Sequence, residues 1–158
     1  MDAKTQIADA QKKILRGLIK WEEHISQLYS VYAKKCPDKK AFWLKISAEE
    51  LSHAALLKSF MHQLDEGYVF MNIGSFQEEE MAEEVERIDA TAMDSMKVGY
   101  GHREALAAAL KIEASHMDVG FYESVDSTIP TFKKIAETLK RATAEHVERL
   151  RAELKDLK

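Results

Sequence analysis

Four stretches of this chain place apolar residues three or four positions apart, the spacing of one face of an α-helix. In the first, Ile7, Ile14, Leu18, Ile25, Tyr29 and Tyr32 predict a helix from about Lys4 to Ala33. Cys36-Pro37-Asp38 stops it, because proline cannot continue a helix and restricts the residue before it. So short a connection predicts an antiparallel return. Trp43, Ile46, Leu57, Phe60 and Leu64 then carry a second helix from about Lys39 to Leu64, with Gly67 as a left-handed stop. Leu106, Leu110, Met117, Phe121 and Val125 predict a third from His102 to Val125. Ser127-Thr128-Ile129-Pro130 is a turn with Thr128 or Asp126 as cap, and Ile135, Leu139, Ala142, Leu150, Leu154 and Leu157 predict a fourth helix from about Thr131 to Leu157. Between the two hairpins, GYVFMNIGSF has no helical period. Met81, Val85, Ile88, Ala92 and Met96 then support a shorter helix from Gln77 to Met96. The expected architecture is an all-α, antiparallel four-helix bundle with a long crossover that carries a short extra helix, one domain over residues 1–158.

The stripes are interrupted where leucine would be expected. Glu22, the pair Glu50 and His53, the pair Glu113 and His116, and His146 each fall on the inward line of a separate long helix. One unpaired buried carboxylate is costly, and several on facing helices call for something positive between them. A pair of metal ions is the economical candidate. Glu at i and His at i+3 project about 60° apart, so both reach one ion, and carboxylate with imidazole suits iron or manganese. The pattern also repeats: Glu22 precedes Glu50-x-x-His53 by 28 positions, and Glu113 precedes Thr143-x-x-His146 by 30. A lone Glu-x-x-His is a weak signal; placement on facing stripes carries the argument. His116 reads equally well as a ligand or as a satisfied core histidine.

The strings WEEHISQLY, AEELSHAALL, LKIEASHMDVGFY and TAEHVERL, in this order, resemble a rubrerythrin-type member of the ferritin-like superfamily over essentially the whole chain. In such bundles one carboxylate from each of two helices joins a Glu-x-x-His from each of the other two. The resemblance implies a ferritin-like bundle and a non-haem, di-iron metal site at Glu22, Glu50, His53, Glu113 and His146, with His116 as an additional or replacement ligand. Two iron ions are the expectation, one the alternative, and manganese or zinc the alternative metals. It also implies ferrous iron oxidation by peroxide or oxygen, or peroxide reduction, as candidate activities. The departure is Thr143, which stands where the pattern has a bridging glutamate. Glu145 cannot substitute, since one residue turns the side chain by about 100°. That departure supports the rival reading, a bundle with an incomplete site that serves as a scaffold or binds metal without turnover.

Other residues take plainer expectations. Glu23 and Glu49 fall off the stripes and His24, His62 and His102 have no partner in the pattern, so all five are placed at the surface. Glu78, Glu79, Glu80, Glu83 and Glu84 form a solvated face near a helix start, where negative charge suits the dipole. Met61, Met81, Met93, Met96 and Met117 fill core gaps. Tyr29 is either structural or a redox neighbour of the ions. A net charge of −4 gives no basic footprint for nucleic acid, and no stretch approaches the roughly 18–20 apolar residues of a membrane span. With no apolar signal-peptide core and a single cysteine, Cys36, a reducing cytoplasm is the expected location. Lys34 and Lys35 would lower the Cys36 pKa somewhat, though a catalytic thiol is not expected. Without a CxxC the chain cannot build a rubredoxin-like iron centre, so an oxidoreductase would take electrons from an external donor. A homodimer is the expected assembly.

Overall fold

The computed structural model describes residues 2–65, 78–115 and 130–157, and every regular element among them is helical. Helix α1 (Ala3–Lys35) starts at Asp2, whose carboxylate accepts from Thr5 N at 2.8 Å, and ends with Lys34 and Lys35 beside its negative pole. Pro37 opens a single 3₁₀ turn (Pro37–Lys39) that leads directly into α2 (Lys40–Asp65). Helix α3 (Glu78–Asp94) is followed by a turn containing Gly99, whose φ of +85° favours a residue without a Cβ. Helix α4 (His102–Glu113) starts at Gly101, whose N–H donates to the Glu104 carboxylate at 2.9 Å. Helix α5 spans Pro130–Asp156.

Two expected helix ends are corrected. The pattern carried the third long helix to Val125, but α4 stops at Glu113, where Ser115 N bonds to Ile112 O and tightens the last turn. Likewise α3 ends at Asp94 rather than Met96, as the Ser95 hydroxyl bonds to Ala92 O. Met96, beyond that end, and Met93, still inside α3, are both exposed rather than core residues, whereas Met81 is buried against Gly17. The crossover GYVFMNIGSF, the caps Asp126 and Thr128, and the residues from His116 to Val125 lie outside the described residues.

Helices α1 and α2 pack along most of their length, α3 lies against α1, α4 packs on α5, and α2 touches α5. Leu15 and Leu18 share a cluster with Leu57 and Phe60, while Tyr32 shares another with Trp43, so α1 and α2 run antiparallel. Between them Ser26 and Ser47 exchange hydroxyl bonds to each other's carbonyl, at 2.9 and 2.8 Å. These small residues let the backbones approach, and the reciprocal bonds pin the register that sets Glu22 level with Glu50.

The apolar core is split in two. One cluster, with Trp21, Tyr29, Tyr32, Trp43, Leu106 and Leu150, lies on one side of a polar layer. The other, with Leu15, Leu18, Leu57, Phe60 and Leu139, lies on the opposite side. The layer crosses α1, α2, α4 and α5 at one level. Stability rests on the two flanking clusters: Leu150→Ala, at a fully buried position, is expected to cost about 2–5 kcal/mol in denaturant unfolding of the metal-free protein.

Candidate metal centre

Glu22 from α1, Glu50 and His53 from α2, Glu113 from α4 and His146 from α5 meet in this layer, each at most 6% exposed. Five of the six residues singled out by pattern are thus brought together; His116 lies outside the described residues. Glu50 is central. Its Oε2 lies 3.0 Å from His53 Nδ1, and its Oε1 lies 2.7 Å from His146 Nδ1. Glu22 Oε2 is 3.8 Å from His53 Nδ1, and Glu113 Oε1 is 3.7 Å from His146 Nδ1. The imidazoles of His53 and His146 stack with centroids 5.2 Å apart.

The short approach of Glu50 Oε1 to His146 Nδ1 is electrostatic rather than a hydrogen bond: both atoms are buried, and neither has a hydrogen-bond partner in the geometry adopted. Buried polar atoms are rarely left so. Donor atoms of Glu50, His53 and His146 lie within 4.8 Å of one another, so this buried cluster could hold a metal ion. The donor set, carboxylate and imidazole with no thiolate, fits iron, manganese or zinc.

Without a metal the layer balances its charge with protons. Burial opposes the charge on Glu50, but the facing groups of His146, His53 and Glu22 outweigh it and hold its carboxyl well below the usual range. Glu113 goes the other way. Burial and then the neighbouring Glu50 charge push it up to about 8. Burial opposes the charge on His146 as well, yet Glu113 and Glu50 lift it to about 10. Tyr29 donates to Glu113 Oε1 at 2.8 Å, and burial, then the charge on Glu113, keep its phenol protonated far above the ordinary value.

Three residues expected at the surface have other places. Glu49 is half-buried: its Oε2 lies 2.8 Å from His146 Nε2, and Arg149 grips the same carboxylate with both terminal nitrogens. Burial opposes ionisation of Glu49, but Arg149 and His146 outweigh it and lower its pKa. Metal-binding histidines commonly hold their second nitrogen in this way, and Glu49 leaves His146 Nδ1 for the cluster. His102 is wedged against Phe42 and Trp43, accepts from Trp43 Nε1 at 3.1 Å and faces Glu153. His24, partly buried, pairs with Asp89 at 2.7 Å. His62 is exposed, as expected, and Glu23 pairs with Lys58. Cys36 is buried, and burial outweighs Lys35 in raising its pKa, so the expected lowering is corrected and the thiol stays protonated.

Every regular element among the described residues is thus a helix, a buried Glu/His cluster among them could hold a metal ion, and none of these helices is long and apolar enough to cross a membrane. No family model, curated protein or solved structure matches it.

Proposed function

We propose that the protein is a non-haem iron protein of rubrerythrin-like type, built on a ferritin-like four-helix bundle, whose pocket has two unequal halves. The observation that carries this reading is the convergence of Glu50, His53 and His146 in a layer flanked by Glu22 and Glu113. One half has Glu22, Glu50 and His53. The other has Glu113 and His146 and shares Glu50. Bound iron would supply one-electron chemistry towards peroxide or oxygen. The protein's own residues hold the donors buried, fix His146 through Glu49 and Arg149, and orient Glu113 through Tyr29. With one cysteine in the chain, reducing equivalents come from an external donor.

Thr143 makes the halves unequal. It sits one turn before His146, and its hydroxyl donates back to Leu139 O at 3.1 Å instead of offering a carboxylate. The wild-type chain is expected to retain one iron tightly. Thr143→Glu is expected to raise retained iron towards two per chain, read by elemental analysis after anaerobic loading and desalting. Unchanged occupancy would show that Thr143 is not what limits the second half.

One observation favours a second reading. The ion pairs of His146 with Glu49 and His53 with Glu50 let the layer stand without metal, as a scaffold's polar core would. Such a protein would retain no metal in the same assay.

A further inference from the structure

Beside the pocket runs a continuous row of oxidisable rings. Tyr29, fully buried, is hydrogen-bonded to Glu113 at 2.8 Å. Its ring lies 5.4 Å from Trp43 and 6.2 Å from Tyr32, centroid to centroid. Trp43 and Tyr32 are 4.9 Å apart, and Tyr32 stacks at 6.0 Å on Tyr100, which is half-exposed. The row thus leads from a pocket carboxylate to solvent with every neighbouring pair in ring contact.

Aromatic packing alone would explain rings of any kind. It does not explain the hydrogen bonds. Oxidising a phenol or an indole makes it strongly acidic, so a buried ring gives up an electron readily only if its proton has somewhere to go. Each ring in this row has such a partner. Tyr29 faces Glu113, the Tyr32 and Tyr100 hydroxyls face each other at 2.9 Å, and Trp43 Nε1 donates to His102 Nδ1. His102 Nε2 in turn faces Glu153, which leaves Nδ1 as the acceptor. Phenylalanine would fill the same space without burying polar atoms.

We propose that Tyr29, Trp43, Tyr32 and Tyr100 form a relay that carries single electrons between the Glu/His pocket and the surface. The inference rests on the metal-binding reading for its oxidant, a one-electron oxidant produced in the pocket by peroxide. Tyr29 gives that oxidant an electron and passes its phenolic proton to Glu113. An electron from Trp43 or Tyr32 and the return of the same proton restore Tyr29. Trp43 lends its own proton to His102 while it is oxidised and recovers it when an electron arrives from Tyr32. As Tyr32 gives up that electron, its proton moves onto the Tyr100 hydroxyl, which releases its own proton to solvent. The Tyr32 radical then takes a hydrogen atom across the pair from Tyr100. The Tyr100 radical takes an electron and a proton from a small reductant such as ascorbate, which closes the cycle. The relay allows a surface donor to reduce a buried centre without the donor or a freed radical entering the core.

Two measurements test it. In metal-free protein with Trp21→Phe, Trp43 is the remaining tryptophan. A flash-generated ruthenium(III) tris-bipyridine oxidant should then produce a Trp43 radical, seen by transient absorption. That signal should be lost in Tyr100→Phe and in Tyr32→Phe, which keep the rings. No Trp43 radical, or an unchanged yield in both variants, overturns the relay. In iron-loaded protein given peroxide and a nitroso spin trap, peptide mapping should find the adduct on Tyr100. With the adduct expressed per iron bound, it should disappear in Tyr29→Phe; its persistence per iron overturns the inner end of the relay. A chain that retains no iron overturns the metal-binding reading instead, and the photochemical measurement still decides the relay.

Discussion

Glu50→Ala is expected to abolish iron retention and to destabilise the metal-free protein by about 3–5 kcal/mol, the usual cost of removing one partner of a buried ion pair. Among the described residues Glu50 is the carboxylate in contact with both cluster histidines, and it lies almost wholly inside the protein. Its removal leaves His146 buried with much of its countercharge gone, and it deprives both halves of the pocket of their shared donor. Glu50→Gln keeps the shape and removes the charge, so it should lose iron as fully while costing less stability. Glu80→Ala, exposed on α3, is the control, expected to stay within about 0.5 kcal/mol. Elemental analysis and urea unfolding of the same preparations read both effects. Iron retained by Glu50→Ala would remove the proposed ligand set.

The second large effect is a pair of opposite pH trends. In the folded, metal-free protein Glu113 is raised from its ordinary 4.5 to about 8, and His146 from 6.5 to about 10. Both are raised. The stability each contributes is therefore complete below its ordinary value and is lost as pH rises through the folded one. Glu50 is lowered, so its contribution is present above its ordinary 4.5 and is lost only as pH falls. Metal-free stability should accordingly decline as pH rises from about 6 towards 10. Metal affinity should climb over the same range, because the protons on Glu113 and His146 must leave before these groups can ligate. Each proton expelled makes affinity rise about tenfold per pH unit. Thermal melts with and without ferrous iron across this range should diverge as pH rises. Parallel curves would mean that Glu113 and His146 are not displaced by metal.

The polar layer was legible in the sequence because it violates a strong rule. Glu22, Glu50, Glu113 and His146 stand on apolar stripes whose neighbours Leu18, Ile46, Leu106 and Leu150 are all buried. Periodicity specifies which side of a helix faces in, and it did so correctly for all five described residues. It says nothing about groups just off the stripe. Glu49 sits about 100° round the helix from Glu50, at the edge that α5 covers, and its partners His146 and Arg149 are 97 and 100 residues away. The available hint was Arg149, one turn after His146 and able to grip a carboxylate adjoining the cluster. His102 was misplaced for a similar reason: its environment is made by Phe42, Trp43 and Glu153, all from other helices. The ends of α3 and α4 were overextended because apolar spacing continued past Asp94 and Glu113, whereas hydrogen bonding by Ser95 and Ser115 closes those helices. Exposed Met96 follows from the first of these ends, whereas Met93 lies off the stripe of Met81, Val85 and Ile88.

The most direct test of the metal-binding account is the iron content of the wild-type chain after anaerobic loading with ferrous iron and exhaustive desalting, with manganese and zinc measured in parallel. At least one iron should be held per chain, and a chain that emerges with no metal at all would rule out metal binding by the Glu/His cluster.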